Sequence, residues 1–184
     1  MKRWFYLIVG LQLLFLAGEA AKYHVALTRG RTVFLKVAPV DPRSLFLGNY
    51  MALRYDISSL DLSKIAHDPQ LSHASDGDTV YVVLVPAKPW ARAVEVAAAE
   101  PPRSEARPFL KGRVEGVYHN TLWVDYGLER YYIPEAAQER VNELARRSWQ
   151  TGKGRLQLTV EVAVQTDGRA LIRRVLANGT PIGF

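Results

Sequence analysis

Two groups of residues in this 184-residue chain are equipped for chemistry. The first holds Asp41, Arg43, Asn49, Tyr50 and Arg54; the second holds Tyr126, Glu129, Arg130, Tyr131 and Glu135. An arginine guanidinium is a planar fork matched to carboxylate or phosphate. Tyrosine adds a flat face and a hydroxyl. If Asp41, Arg43, Tyr50 and Arg54 line one polar surface, they would hold a peptide terminus, a lipid headgroup or a saccharide. The same residues equally suit a folded corner, in which Asp41-Pro42 makes a rigid turn, Gly48 takes an unusual backbone angle and Asp41 pairs internally with Arg54. Glu129 and Glu135 would serve as acid and base if the fold brings them to about 5–10 Å, although Glu135 also suits the start of a helix.

Other chemistry is weakly signalled. His67, Asp68, His73, Asp76 and Asp78 fall in a polar stretch whose spacing fits no recognised metal-ligand pattern. Ser58, Ser59 and Ser104 lack a nucleophile elbow, and no glycine-rich phosphate loop is present. The chain has no cysteine, which excludes disulfides, thiolate metal sites and thiol catalysis. No catalytic set, metal or cofactor follows from the sequence.

The elements that must position these residues read mostly as strands. Thr32 to Val37 is β-branched and aromatic. Asn49 to Ile57 alternates, with Met51, Leu53, Tyr55 and Ile57 on a core face and Tyr50, Ala52, Arg54 and Asp56 on a polar one. Leu60 to Ser75 reads as a loop with at most a short helical turn, and Thr79 to Val85 as a fully buried strand. Ala93 to Ala97 is a short strand, followed by a proline-containing connection within one domain. Phe109 to Val117 and Thr121 to Tyr126 form a hairpin around His119-Asn120, and Arg130 to Ile133 adds a short strand. A helix starts at Pro134 and ends near Arg146-Arg147, with Ala137, Val141, Leu144 and Ala145 as its apolar stripe. Asp167-Gly168 closes a last hairpin between Leu156–Val164 and Ala170–Leu176. The expected class is α+β: a compact antiparallel sheet or partly open barrel, one helix in the body, and an apolar N-terminal helix.

That N-terminal segment runs from Trp4 to Ala17 behind Lys2-Arg3 and is apolar all round. It is about 21 Å of helix, and about 27 Å if extended to Ala21, against a hydrocarbon core about 30 Å thick. The basic start places the N-terminus in the cytoplasm and the remainder outside it. The pattern predicts an anchor over residues 1–22 and an extracytoplasmic domain over 23–184. Cleavage near Gly18-Glu19-Ala20, giving a secreted form, is the alternative. A formal charge of +6 is scattered rather than blocked, which suits a solvated surface or attraction to anionic lipid. Nucleic acid is a weak third candidate, since no recognition motif is present.

The string Leu47-Gly48-Asn49-Tyr50-Met51-Ala52-Leu53-Arg54-Tyr55-Asp56-Ile57, after the Pro39-Val40-Asp41-Pro42-Arg43 turn, resembles the signature of the bacterial GDYXXLXY proteins. Gly48, Tyr50, Leu53 and Tyr55 match it. The family's aspartate is Asn49 here, which neither titrates nor carries charge, and this favours a structural or recognition role for the position. The Tyr126–Glu135 stretch, the Val80-Tyr81 strand and the Asp167-Gly168 strand pair also look like family features. The resemblance implies no assigned reaction. It implies a multi-spanning membrane protein as partner, because related proteins occur beside or joined to such proteins. The expected role is therefore an envelope binding or assembly module. An envelope hydrolase or transferase using the Tyr/Arg/acid residues is the alternative.

Overall fold

The computed structural model describes residues 2–38, 46–47, 50–134, 138–139, 141, 143–144 and 156–182. It opens with α1 (Lys2–Arg29), 28 residues long. No glycine or proline interrupts Tyr23 to Arg29, so the helix continues about two turns past residue 22 before Gly30 ends it. It is long and apolar enough to cross a membrane, and its apolar stretch is not buried against the body.

The rest of the described chain is largely strand. β1 (Arg31–Lys36), β2 (Phe46–Leu47), β3 (Tyr50–Ala52), β4 (Ser59–Asp61) and β5 (Ala66–His67) come first. β6 (Thr79–Val85), β7 (Arg92–Ala97), β8 (Phe109–Tyr118), β9 (Thr121–Asp125) and β10 (Arg130–Tyr132) follow. β11 (Leu158–Val164), β12 (Ala170–Ala177) and β13 (Thr180–Ile182) complete the set. They form three sheets, ordered β1-β11-β12-β13, β10-β3-β2 and β4-β9-β8-β6-β7-β5. All pairs are antiparallel except β5 with β7. Register shifts at Val83/Leu84, Val114/Gly116 and Glu161/Val162 bend the long strands. The expected α+β class holds, with the sheets curled around a common cluster of buried side chains.

Turn chemistry sets the hairpins. His119 and Asn120 both have positive φ, at 49° and 63°, the two-residue turn whose twist matches its flanking strands. Asn178 and Gly179 repeat it at 49° and 84° and create β13, a strand absent from the sequence reading. Leu60 to Ser75 also departs from expectation. The short turn it allowed is there, at Pro69–His73, but the segment also forms β4 and β5, and buried Leu60, Leu62 and Leu71 tie it down. The alternation from Met51 to Ile57 survives in burial but not in strand length. Met51, Leu53, Tyr55 and Ile57 are all buried, yet β3 ends at Ala52 and the chain turns at Asp56–Ser58. Within the expected body helix, Gln138, Glu139, Val141, Glu143 and Leu144 are helical and Val141 is buried. Ala137, Ala145, Arg146 and Arg147 lie outside the described residues.

Candidate functional site

β10 lies beside β3, so the two sequence blocks meet as neighbouring strands. Arg130 pairs with Ala52, Tyr131 with Met51 and Tyr132 with Tyr50. Alternation then sorts the side chains onto two faces. Tyr50, Ala52, Arg130 and Tyr132 share the outer face, where Tyr132 is 70% exposed and its ring centroid lies 5.8 Å from that of Tyr50. Tyr131 shares the inner face with the fully buried Met51 and packs against the core.

Arg54 follows β3 and is exposed, with its guanidinium 5.2 Å from the centre of the Trp123 ring. Trp123 stands between buried Leu122 and Val124 on β9 and so projects from the opposite side of that strand. At that distance the ring face attracts the cation without using any of its N–H groups. No carboxylate pairs with Arg54 among the described residues.

Two tyrosines tie the blocks together from below. The Tyr55 hydroxyl donates to the Leu128 carbonyl at 2.7 Å, and the Tyr126 hydroxyl donates to the Ile57 carbonyl at 2.7 Å. The Leu53 amide donates to the Glu129 carbonyl at 2.8 Å. Burial first, and then the Glu129 carboxylate, hold both tyrosine hydroxyls above their ordinary ionisation range.

The Asp125–Glu129 turn carries the most perturbed acid of the site. The Gly127 amide donates to Asp125 Oδ1 at 2.7 Å and the Tyr126 amide to Glu129 Oε1 at 2.9 Å. The two carboxyl groups hydrogen-bond each other. Burial, and then that bond, push Glu129 up to about 7. The bond from Glu129 is the main cause that holds Asp125 below its usual value. The two groups thus touch directly, whereas acid and base acting across a glycosidic bond stand about 5 Å or more apart.

This pair predicts a stability profile. Glu129 titrates higher in the folded chain than in the unfolded one. Its contribution is therefore fully present below the unfolded value of about 4.5 and is lost as pH rises through about 7. Part of the carboxyl still faces water, so the loss between pH 5 and pH 8 is discounted to about 1–2 kcal/mol. Glu129→Gln keeps an acceptor for Tyr126 and gains a permanent donor for Asp125. Thermal melts should fall with pH in the wild type and stay nearly flat over that range in the variant. Equal slopes in the two proteins would remove Glu129 as the source.

Of the residues singled out from sequence, Tyr50 and Arg54 reach the outer side, Glu129 lies in the turn beneath, and Tyr131 points inward. Asp41, Arg43, Asn49 and Glu135 lie outside the described residues. Three partners were not foreseen: Trp123 under Arg54, Tyr132 beside Tyr50, and Asp125 against Glu129. Trp123 carried a signal, a large aromatic on the non-core phase of an alternating strand. Asp125 carried another, an Asp two residues before a glycine and four before a glutamate.

The sequence profile of the family described as GDYXXLXY protein matches residues 12–175. No curated protein and no solved structure matches the chain.

Proposed function

The chain belongs to the GDYXXLXY family, and from that premise we propose that it is a membrane-anchored binding or assembly module acting on an extracytoplasmic surface of a multi-spanning membrane protein. The observation that carries this reading is the pairing of the two signature blocks into one outward face. Tyr50, Tyr132 and Arg130 lie on it, and Arg54, held over the Trp123 ring, follows β3. Exposed aromatic rings and cations recur at the centres of protein interfaces. A carboxylate-bearing loop is the complement such a face accepts. The helix α1 would hold the module at the bilayer with its N-terminus in the cytoplasm.

The hydrolase or transferase alternative draws less support. The large cleft beside α1 is lined by none of Tyr50, Arg54 or Glu129.

Purification of the full-length chain from membranes in mild detergent tests the proposal. A multi-spanning protein should co-purify with the wild type. Tyr50→Ala or Arg54→Ala should reduce its recovery by roughly tenfold or more, as expected for interface anchors each contributing about 1.4 kcal/mol or above. Melting temperatures should remain close to wild type. If the variants unfold, the block is architectural. If the intact chain is recovered in the soluble cytoplasmic fraction, the membrane reading fails.

A further inference from the structure

Between the last turns of α1 and the sheets lies an open cleft of about 1280 Å³. Its walls carry six basic side chains, Lys22, Arg29, Arg31, Arg103, Lys111 and Arg169, against two carboxylates, Glu19 and Glu105. Some of these charges are already matched: Lys22 pairs with Glu19 at 2.6 Å, Arg169 with Asp167 at 2.7 Å, and Arg103 loosely with Glu100 at 3.9 Å. Arg29, Arg31 and Lys111 have no carboxylate partner among the described residues. Between the cations the cleft is apolar, through Val25, Pro108, Phe109 and Leu171.

We propose that this cleft holds the headgroup of an anionic phospholipid from the leaflet into which α1 inserts. The proposal rests on α1 spanning a bilayer. Matching a hydrocarbon core about 30 Å thick to the 20 residues from Trp4 to Tyr23 puts an aromatic ring at each interface. Arg29 then stands about 9 Å beyond Tyr23, at the depth of lipid phosphates. The unpaired cations therefore face the headgroup layer, and the apolar wall offers a path for the upper part of an acyl chain. Charge selects the occupant, because Arg29 and Lys111 are exposed and Arg31 half-buried, all without a carboxylate partner among the described residues, and a phosphodiester with net negative charge is attracted to them where a zwitterionic headgroup brings no net charge. Free phosphate supplies the same anionic oxygens but nothing for Val25 or Phe109.

The test uses full-length protein in detergent micelles, with retained lipid counted by native mass spectrometry. Phosphatidylglycerol and phosphatidylcholine are offered separately. Each unpaired cation is worth roughly a factor of five on an anionic surface, so the three together predict on the order of a hundredfold preference for phosphatidylglycerol. Replacing Arg29, Arg31 and Lys111 together by glutamine should abolish that preference. Lys111→Gln alone should reduce it about fivefold and guards against misfolding of the triple variant. Arg92→Gln, on β7 and away from the cleft, should leave it unchanged. Equal retention of the two lipids overturns the proposal. So does a preference that survives in the triple variant or is lost equally in Arg92→Gln, and so does displacement of phosphatidylglycerol by millimolar inorganic phosphate. Alkaline extraction of the parent membranes separates the two readings. Release of the wild-type chain there refutes the spanning helix itself, whereas retention with no lipid preference refutes the cleft alone.

Discussion

Arg173→Ala should lower the stability of the chain by about 3 kcal/mol and free α1 from the sheets. Arg173 on β12 donates from Nε to the Leu27 carbonyl at 2.9 Å and from Nη2 to the Gly30 carbonyl at 2.8 Å. It also donates from Nη1 to Thr32 Oγ1, and it lies 3.7 Å from Glu161. One guanidinium thus satisfies carbonyls that the end of a helix leaves without partners and places a positive charge at the negative end of the helix dipole. Glu161, whose side chain is 8% exposed, is held by Arg174 as well. Breaking a buried ion pair costs about 3–5 kcal/mol and each charge-assisted hydrogen bond contributes about 1.5–3. The surviving Arg174 bond and access of water to the freed carbonyls bring the net to the lower end. For a chain of this size the melting temperature should drop by roughly 6–12 °C. Arg173→Lys should recover less than half of the loss, because an ammonium is a point charge and cannot span three acceptors. Gly30→Ala attacks the same joint from the other side: a Cβ there would stand 2.6 Å from the Ala26 carbonyl and 2.8 Å from Ala163 Cβ. In detergent, either variant should gain a protease-sensitive site near residue 30. A melting temperature and cleavage pattern matching wild type in Arg173→Ala would show that this arginine does not hold the joint.

That joint also shows where sequence stops informing. Patterns that depend on near neighbours were readable. The apolar stretch of α1, the alternation that buries Met51, Leu53, Tyr55 and Ile57, and the turns at His119-Asn120 and Asp167-Gly168 all lie within a few residues of their cause. Asn178-Gly179 was equally local and could have been read. Contacts between distant segments were not. Arg173 reaches Leu27 across 146 positions and Tyr126 reaches Ile57 across 69, and no periodicity encodes such pairs. The candidate site was legible as two blocks, but not as neighbouring strands, because strand order depends on loop closure rather than on the strands themselves. The faces followed from that order. Tyr131 pairs with Met51 and is drawn inward, while Tyr132, which has no distinguishing motif of its own, becomes the outer partner of Tyr50. Glu129 was identifiable as an acid. Its raised ionisation was not, since that depends on burial and on the contact with Asp125.

Removing both buried hydroxyls, Tyr55→Phe with Tyr126→Phe, should cost more than the two single changes added together. Each single change leaves one buried carbonyl without its donor, Leu128 O in one case and Ile57 O in the other. An unsatisfied buried acceptor of this kind costs about 1–2 kcal/mol. The two bonds join the same two segments from opposite directions, so either alone still holds β10 and its turn against the chain that follows β3. With both gone, that register has lost its two deepest ties. A coupling of about 1 kcal/mol should then appear, for a total near 3–5 kcal/mol, measured by denaturant unfolding of the two singles and the double. The loss should not vary with pH in the accessible range, since burial and the Glu129 carboxylate keep both hydroxyls protonated. This separates it from the Glu129→Gln effect, which builds up between about pH 4.5 and 7 and levels off above that. The outer face should respond in the same order. Either single variant should still present Tyr50 and Tyr132 together and retain any partner captured by that face in the detergent co-purification, while the double should lose it. Strict additivity of the three free energies would mean that each tyrosine acts alone, and that the packing of Met51 and Tyr131, rather than the hydroxyl pair, keeps the two blocks in register.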